Sequence, residues 1–225
     1  MSPLGNRPAR ILITPLAFKK LKLYMELCPA EISGLGRLQV LKGELCIADV
    51  FILSQRVSPS ETELDQEALL DFLAQVVSTG EDPSPYKVWW HSHGDLDLEW
   101  SETDEGTIET FGSNELVSVV GNRRGEFLCR IDRFGPLREV IDGLTLTPLE
   151  GGDEDQEDLR QGIEAELREK VRVLSVVRHS LGQEGMPDIL LEYEVPLEES
   201  AAQPSDGGGG GWTLKEGLGL EEGSR

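Results

Sequence analysis

The run Val88-Trp89-Trp90-His91-Ser92-His93 constrains the fold more than any other stretch of the chain. It is apolar up to His91, which predicts a buried strand. In a strand, residues i and i+2 share a face, so His91 and His93 present both imidazoles to one side. After seven intervening residues come Ser101 and Asp104, and a serine three residues before an acid marks a helix start. Ser101 at the cap and Asp104 one turn in would then both face the strand end that bears the histidines. Burying two adjacent imidazoles without partners is costly. Borderline divalent metals take imidazole nitrogen and carboxylate oxygen at about 2.0–2.2 Å. The histidine pair therefore points to metal ligation. On spacing alone, Ser101 and Asp104 fit a capping box as well as a place in such a site, and the two roles are compatible.

The flanking sequence supplies elements for a scaffold. Arg10–Thr14 reads as a strand, and Pro15 opens a helix whose stripe is Ala17, Leu21, Tyr24 and Cys28. Leu38–Leu41 and Leu45–Leu53, separated by Lys42-Gly43-Glu44, predict an antiparallel hairpin. Ser60 with Glu63 predicts a capping box for a helix with the stripe Leu64, Ala68, Phe72 and Val76. After the helix from Ser101 to Phe111 come strands at Leu116–Gly121 and Glu126–Arg133, turned by Asn122–Gly125. Further strand lies in Leu137–Leu149, with a turn at Asp142-Gly143. The order β-α-β-β-α-β-α-β-β-β predicts an α+β fold, a mostly antiparallel sheet flanked by helices.

Composition changes after Gly151-Gly152. Residues 151–225 carry 18 acidic against 7 basic side chains. Residues 153–196 read as an acidic amphipathic helix with stripe Leu159, Ile163, Leu167, Val171 and Leu174, ending near Gly182, followed by a strand at Ile189–Val195. That stripe can pack on the domain or, over 159–181, pair with a partner helix. Residues 197–225, with the tract Gly207–Gly211, hold too little apolar content to fold and are expected to be disordered. A net charge of −21 excludes nucleic acid as an expected partner, since phosphate binding needs a basic footprint. No run of about 18 apolar residues exists, so no membrane span is expected. Cys28, Cys46 and Cys129 are odd in number and widely spaced in apolar settings, which fits buried free thiols and a cytoplasmic location.

Glu31, followed by Ile32-Ser33-Gly34-Leu35-Gly36, completes a pattern with His91-Ser92-His93, seven residues, and Ser101-Glu102-Thr103-Asp104. This pattern resembles the signature of the JAMM metalloproteases, also called the JAB or MPN+ domain. The resemblance is to the compact prokaryotic type and covers roughly residues 9–150. It implies a cytidine-deaminase-like fold, here with a C-terminal helical extension. It also implies that His91, His93 and Asp104 bind Zn2+, that Glu31 moves the proton of the attacking water, and that Ser101 hydrogen-bonds the oxyanion. Gly94 stands where many members have proline. Ser92 points to the opposite face and is expected to be structural. The implied reaction is hydrolysis of an amide bond after the C-terminal Gly-Gly of a ubiquitin-like or sulfur-carrier protein. The alternatives are a non-catalytic MPN scaffold, or a phage or mobile-element peptidase that cuts a structural protein.

Overall fold

A computed structural model describes residues 10–58, 61–64, 66–111, 114–151, 156–179 and 189–197 of the chain. The expected tail at 197–225 lies outside them from residue 198 onward, as does Ser60 of the expected second capping box.

The first half opens with strand β1 (Arg10–Ile13), helix α1 (Pro15–Leu27) and the hairpin β2 (Ser33–Leu41) and β3 (Glu44–Ile52). Thr14 caps α1 by accepting from the Ala17 N–H, and Pro15 fills the first helical turn. Lys42 and Gly43 turn the hairpin with φ of 51° and 85°, the left-handed pair that a two-residue turn requires. Then come β4 (Gln55–Ser58), β5 (Glu61–Leu64) and α2 (Gln66–Ser78). The helix expected to take in Leu64 thus begins after it.

Strand β6 (Val88–Ser92) carries His91, and α3 (Glu102–Thr110) carries Asp104. Strands β7 (Glu115–Gly121), β8 (Phe127–Arg133) and β9 (Glu139–Pro148) follow. The expected turn at Asp142-Gly143 is instead a bulge inside β9. Cys129 pairs with Leu144 and Ile131 with Ile141, so β9 has one residue too many, and Gly143 takes φ of 70°.

Seven strands close into a barrel in the order β1-β3-β2-β6-β7-β8-β9. This overturns the expected deaminase-like MPN/JAB architecture, an open and mostly antiparallel sheet flanked by helices. The short strand β1 decides it. One edge pairs in parallel with β3, Leu12 opposite Cys46, and the other pairs in parallel with β9, Arg10–Ile13 opposite Thr145–Pro148. A third parallel pair joins β6 to β7. Inside–outside alternation is the same in open and closed sheets, so the sequence pattern did not distinguish them. Bulges in β3 and β9 bend the ladder, and closure leaves no edge unpaired.

The C-terminal part also departs from expectation. Helix α4 (Gln156–Lys170) stops where the alternating β-branched residues Val171 and Val173 begin, and the chain continues as β10 (Val171–His179). With β11 (Ile189–Pro196) it forms a second sheet, ordered β11-β10-β4-β5. Ile163 and Leu167 of α4 are buried in the main core beside α1. The Tyr24 hydroxyl donates to Glu166 at 2.5 Å. No described helix is long and apolar enough to cross a membrane.

Strand β6 divides two apolar clusters. Val88 and Trp90 face the main core, where Trp90 stacks on Tyr24 with ring centroids 5.4 Å apart. Trp89 faces the other way, with Ile108, Leu116, Trp100, Phe111 and Phe134. The histidines share the face of Trp89. The site therefore lies between the barrel wall and α3.

Candidate metal centre

His91 and His93 are both buried, at the end of β6 and just past it. His91 Nε2 lies 3.2 Å from His93 Nε2 and 3.1 Å from Asp104 Oδ1, and His93 Nε2 lies 3.7 Å from Asp104 Oδ2. Donors at about 2.05 Å around a tetrahedral ion stand roughly 3.3 Å apart, so these spacings suit a single ion. The three ligand atoms lie within 4.8 Å of one another, and the group could hold a metal ion.

Asp104 reaches the histidines because α3 starts where it does. Ser101 is the N-cap, and its Oγ accepts from the Asp104 N–H at 3.1 Å. In return Asp104 Oδ2 accepts from the Ser101 N–H and Oγ–H, each at 2.8 Å. The capping box and the candidate ligand group are thus one structure: Oδ2 closes the helix end and Oδ1 faces His91.

The electrostatics favour an ionised carboxylate beside an unprotonated ring. Burial pushes the His91 imidazole below its ordinary value, against the pull of Asp104. The hydrogen bond to Asp104 raises that of His93. Burial alone would raise the Asp104 carboxyl. The hydrogen bonds from His91 and His93, joined by the Ser101 N–H, instead hold it well below the usual carboxylate range. The His91 ring is fixed by packing, stacked on Trp89 at 4.4 Å and 18°. Its Nδ1 is buried with no hydrogen-bond partner, leaving Nε2 as the nitrogen committed to the cluster. His93 Nδ1 lies 3.2 Å from the Asp97 carbonyl.

Glu31 is brought to the same place from 60 residues upstream. Ile32 donates its N–H to Ser92 Oγ at 3.0 Å and accepts from the Ser92 N–H at 2.8 Å. Ser33 pairs with His91 across the β2–β6 ladder. Glu31 is half-buried, and its carboxylate helps to raise the His93 imidazole. Ser92 is structural in a definite sense, since it ties the Glu31 segment to the histidine strand.

The small residues after Glu31 have a physical reason as well. A Cβ at Gly34 would stand 2.2 Å from the Phe51 carbonyl and 2.6 Å from the Trp90 ring. Gly94 adopts φ of 53°, which proline, fixed near −65°, cannot reach. The chain after His93 therefore follows a path that a proline at this position would forbid. That loop is pinned by the β7–β8 turn: Arg123 pairs with Asp95 at 2.9 Å and Arg124 with Asp97 at 2.8 Å.

The main feature that sequence reasoning missed is a buried charge network behind α3. Arg130 and Asp132, alternate residues of β8, are 3% and 0% exposed. Arg130 pairs with Asp132 at 2.8 Å and with Glu105, and Arg138 reaches Asp132 at 2.7 Å and Glu105 at 3.0 Å. The hydrogen bond from Arg130 holds the Glu105 carboxyl below its ordinary range. The available signal was an Arg-x-Asp pair at strand spacing inside an otherwise buried run.

No family model matches the chain, and no curated protein matches it. Among solved structures it is similar to the solution structure of protein DSY2949 from Desulfitobacterium hafniense, at 15% identity and a TM-score of 0.47. That match covers 65% of this chain and 97% of the other.

Proposed function

We propose that this protein is a zinc-dependent amide hydrolase working with JAMM-type chemistry on a closed-barrel scaffold. The observation that supports this reading most is the convergence of His91, His93 and Asp104 within 4.8 Å, buried and arranged around one point. Two imidazoles and a carboxylate suit zinc. Bound there, zinc would supply Lewis acidity and bring a water's pKa down towards about 7.

The chain's own residues would do the rest. Glu31, held beside the histidines through Ser92, would accept the proton of the attacking water and deliver it to the leaving amine. Ser101 is exposed at the start of α3, and its hydroxyl proton now goes to Asp104. Turned outward, that hydroxyl would donate to the oxyanion of the tetrahedral intermediate. The substrate would be a ubiquitin-like or sulfur-carrier protein cleaved after its C-terminal Gly-Gly, since residues without side chains allow a backbone to come close to a buried centre.

The test is zinc content per chain, together with cleavage of a ubiquitin-like protein fused through its Gly-Gly terminus. Wild type should carry about one zinc and cleave, and Glu31→Gln should keep the zinc and lose cleavage. A zinc-loaded wild type that cleaves no more than Glu31→Gln would defeat the enzymatic reading and favour a binding or scaffolding role.

A further inference from the structure

Helix α3 has little of its own to hold it in place. It is nine residues long, contains Gly106, and buries only Asp104 and Ile108. Isolated helices shorter than about 12 residues are marginal, and an interior glycine costs about 1 kcal/mol relative to alanine. Yet a metal centre built on α3 and β6 needs its ligands held to within about 0.5 Å of their working geometry.

We infer that Arg130 is a positioning residue for the candidate metal centre, clamping the start of α3 from both sides of Asp104. Before the ligand, its guanidinium lies over the Trp100 ring, 4.7 Å from the centroid, immediately ahead of the Ser101 cap. After the ligand, its Nη1 and Nη2 both donate to the Glu105 carboxylate, the latter at 3.0 Å. Its Nε donates to Asp132 at 2.8 Å, which aims the planar fork. Arg138 braces the same pair of carboxylates and reaches one turn further along α3 to Glu109 at 3.1 Å. Trp100 is itself tied to the β9 bulge, donating Nε1–H to Asp142 at 3.2 Å. Arg130 touches no ligand atom, and its effect would pass to Asp104 through the backbone on either side. The inference rests on the metal reading of His91, His93 and Asp104 and is independent of the reaction.

The experiment uses the full chain as wild type, Glu105→Gln, Arg130→Met, Arg130→Lys and, as a control away from the site, Glu166→Gln. Each is stripped of metal and titrated with Zn2+ against a chromophoric chelator and with Co2+ by visible absorption. Thermal midpoints are measured without metal. Glu105→Gln should weaken Zn2+ binding about tenfold or more and alter the Co2+ spectrum, as loss of outer support for a ligand does. Arg130→Lys keeps the charge but not the fork, and should fall between wild type and Arg130→Met. Glu166→Gln should bind as wild type whatever its midpoint. If Arg130→Met does not fold, Glu105→Gln decides. Wild-type affinity and spectrum in Glu105→Gln would overturn the inference, as would an equal loss in Glu166→Gln. A wild type that takes up no metal would remove the metal reading itself.

Discussion

His91 Nε2 and Asp104 Oδ1 face each other at 3.1 Å across the gap between a barrel strand and a separate helix. The second oxygen of the same carboxylate closes that helix's capping box. Asp104→Asn keeps the shape but removes the charge. It should reduce bound zinc to a small fraction of one per chain. Loss of the charge-assisted bonds should also destabilise the metal-free protein by about 1–3 kcal/mol. Metal analysis and urea melts of the stripped protein check the two effects separately.

Ser101 carries a structural and a proposed chemical duty, and one substitution separates them. Ser101→Ala should cost about 1 kcal/mol of stability through the lost cap. On the proposed reaction it should lower kcat by about 100-fold or more with little change in KM, the signature of a donor used only in the transition state. A fall in kcat no larger than the stability loss accounts for would leave Ser101 as a cap alone.

Gly34→Ala probes the close approach that brings the Glu31 segment against β6. The added Cβ would meet a backbone carbonyl at 2.2 Å, and backbone cannot move aside as the tip of a flexible side chain can. Overpacking of this kind costs about 1–3 kcal/mol. The loss should be visible as a reduced denaturation midpoint with an unchanged m-value.

Stability should fall on the alkaline side. Burial pushes the Cys28 thiol up to about 11 and the Cys129 thiol up to about 12, and burial likewise raises the Tyr24 phenol. In the unfolded chain a thiol ionises near 8.5, roughly. Below that pH both states hold the thiol protons, so the thiols add no slope. Above it the unfolded state loses the proton first, so stability declines by up to about 1.4 kcal/mol per pH unit for each thiol. Thermal midpoints from pH 7 to 11 should show this slope, and Cys129→Ala should make it shallower. All three cysteines are free and buried, so a thiol reagent at pH 7 should label none until denaturant is added.

The site was more legible in the sequence than the fold that carries it. Period-two alternation put His91 and His93 on one face, and Ser-x-x-Asp put a carboxylate in the first turn of a helix. Both signals are local, and local geometry is what a short pattern encodes. Barrel closure depends on which strands share an edge, and nothing in Arg10–Ile13 says that it pairs with residues 145–148 as well as with β3. The stripe through Leu174 also misled. Leu159, Ile163 and Leu167 are helical, but at Val171 β-branched residues and a waiting edge on β4 turned the same spacing into a strand. Arg130 was legible only in part: Asp132 is its neighbour on β8, but Glu105 and Trp100, which tie it to the start of α3, lie far upstream in sequence.

The double pairing of β1 has a consequence for how the chain acquires its structure. Arg10 must meet Thr145 before the barrel exists, so its closing seam joins segments about 135 residues apart in sequence. Until then β1 and β9 each leave a strand edge able to recruit a neighbouring molecule. Pairings this distant in sequence slow folding, because loop-closure entropy is spent before contacts compensate for it. The period before β9 pairs with β1 is therefore when this chain is most exposed to self-association.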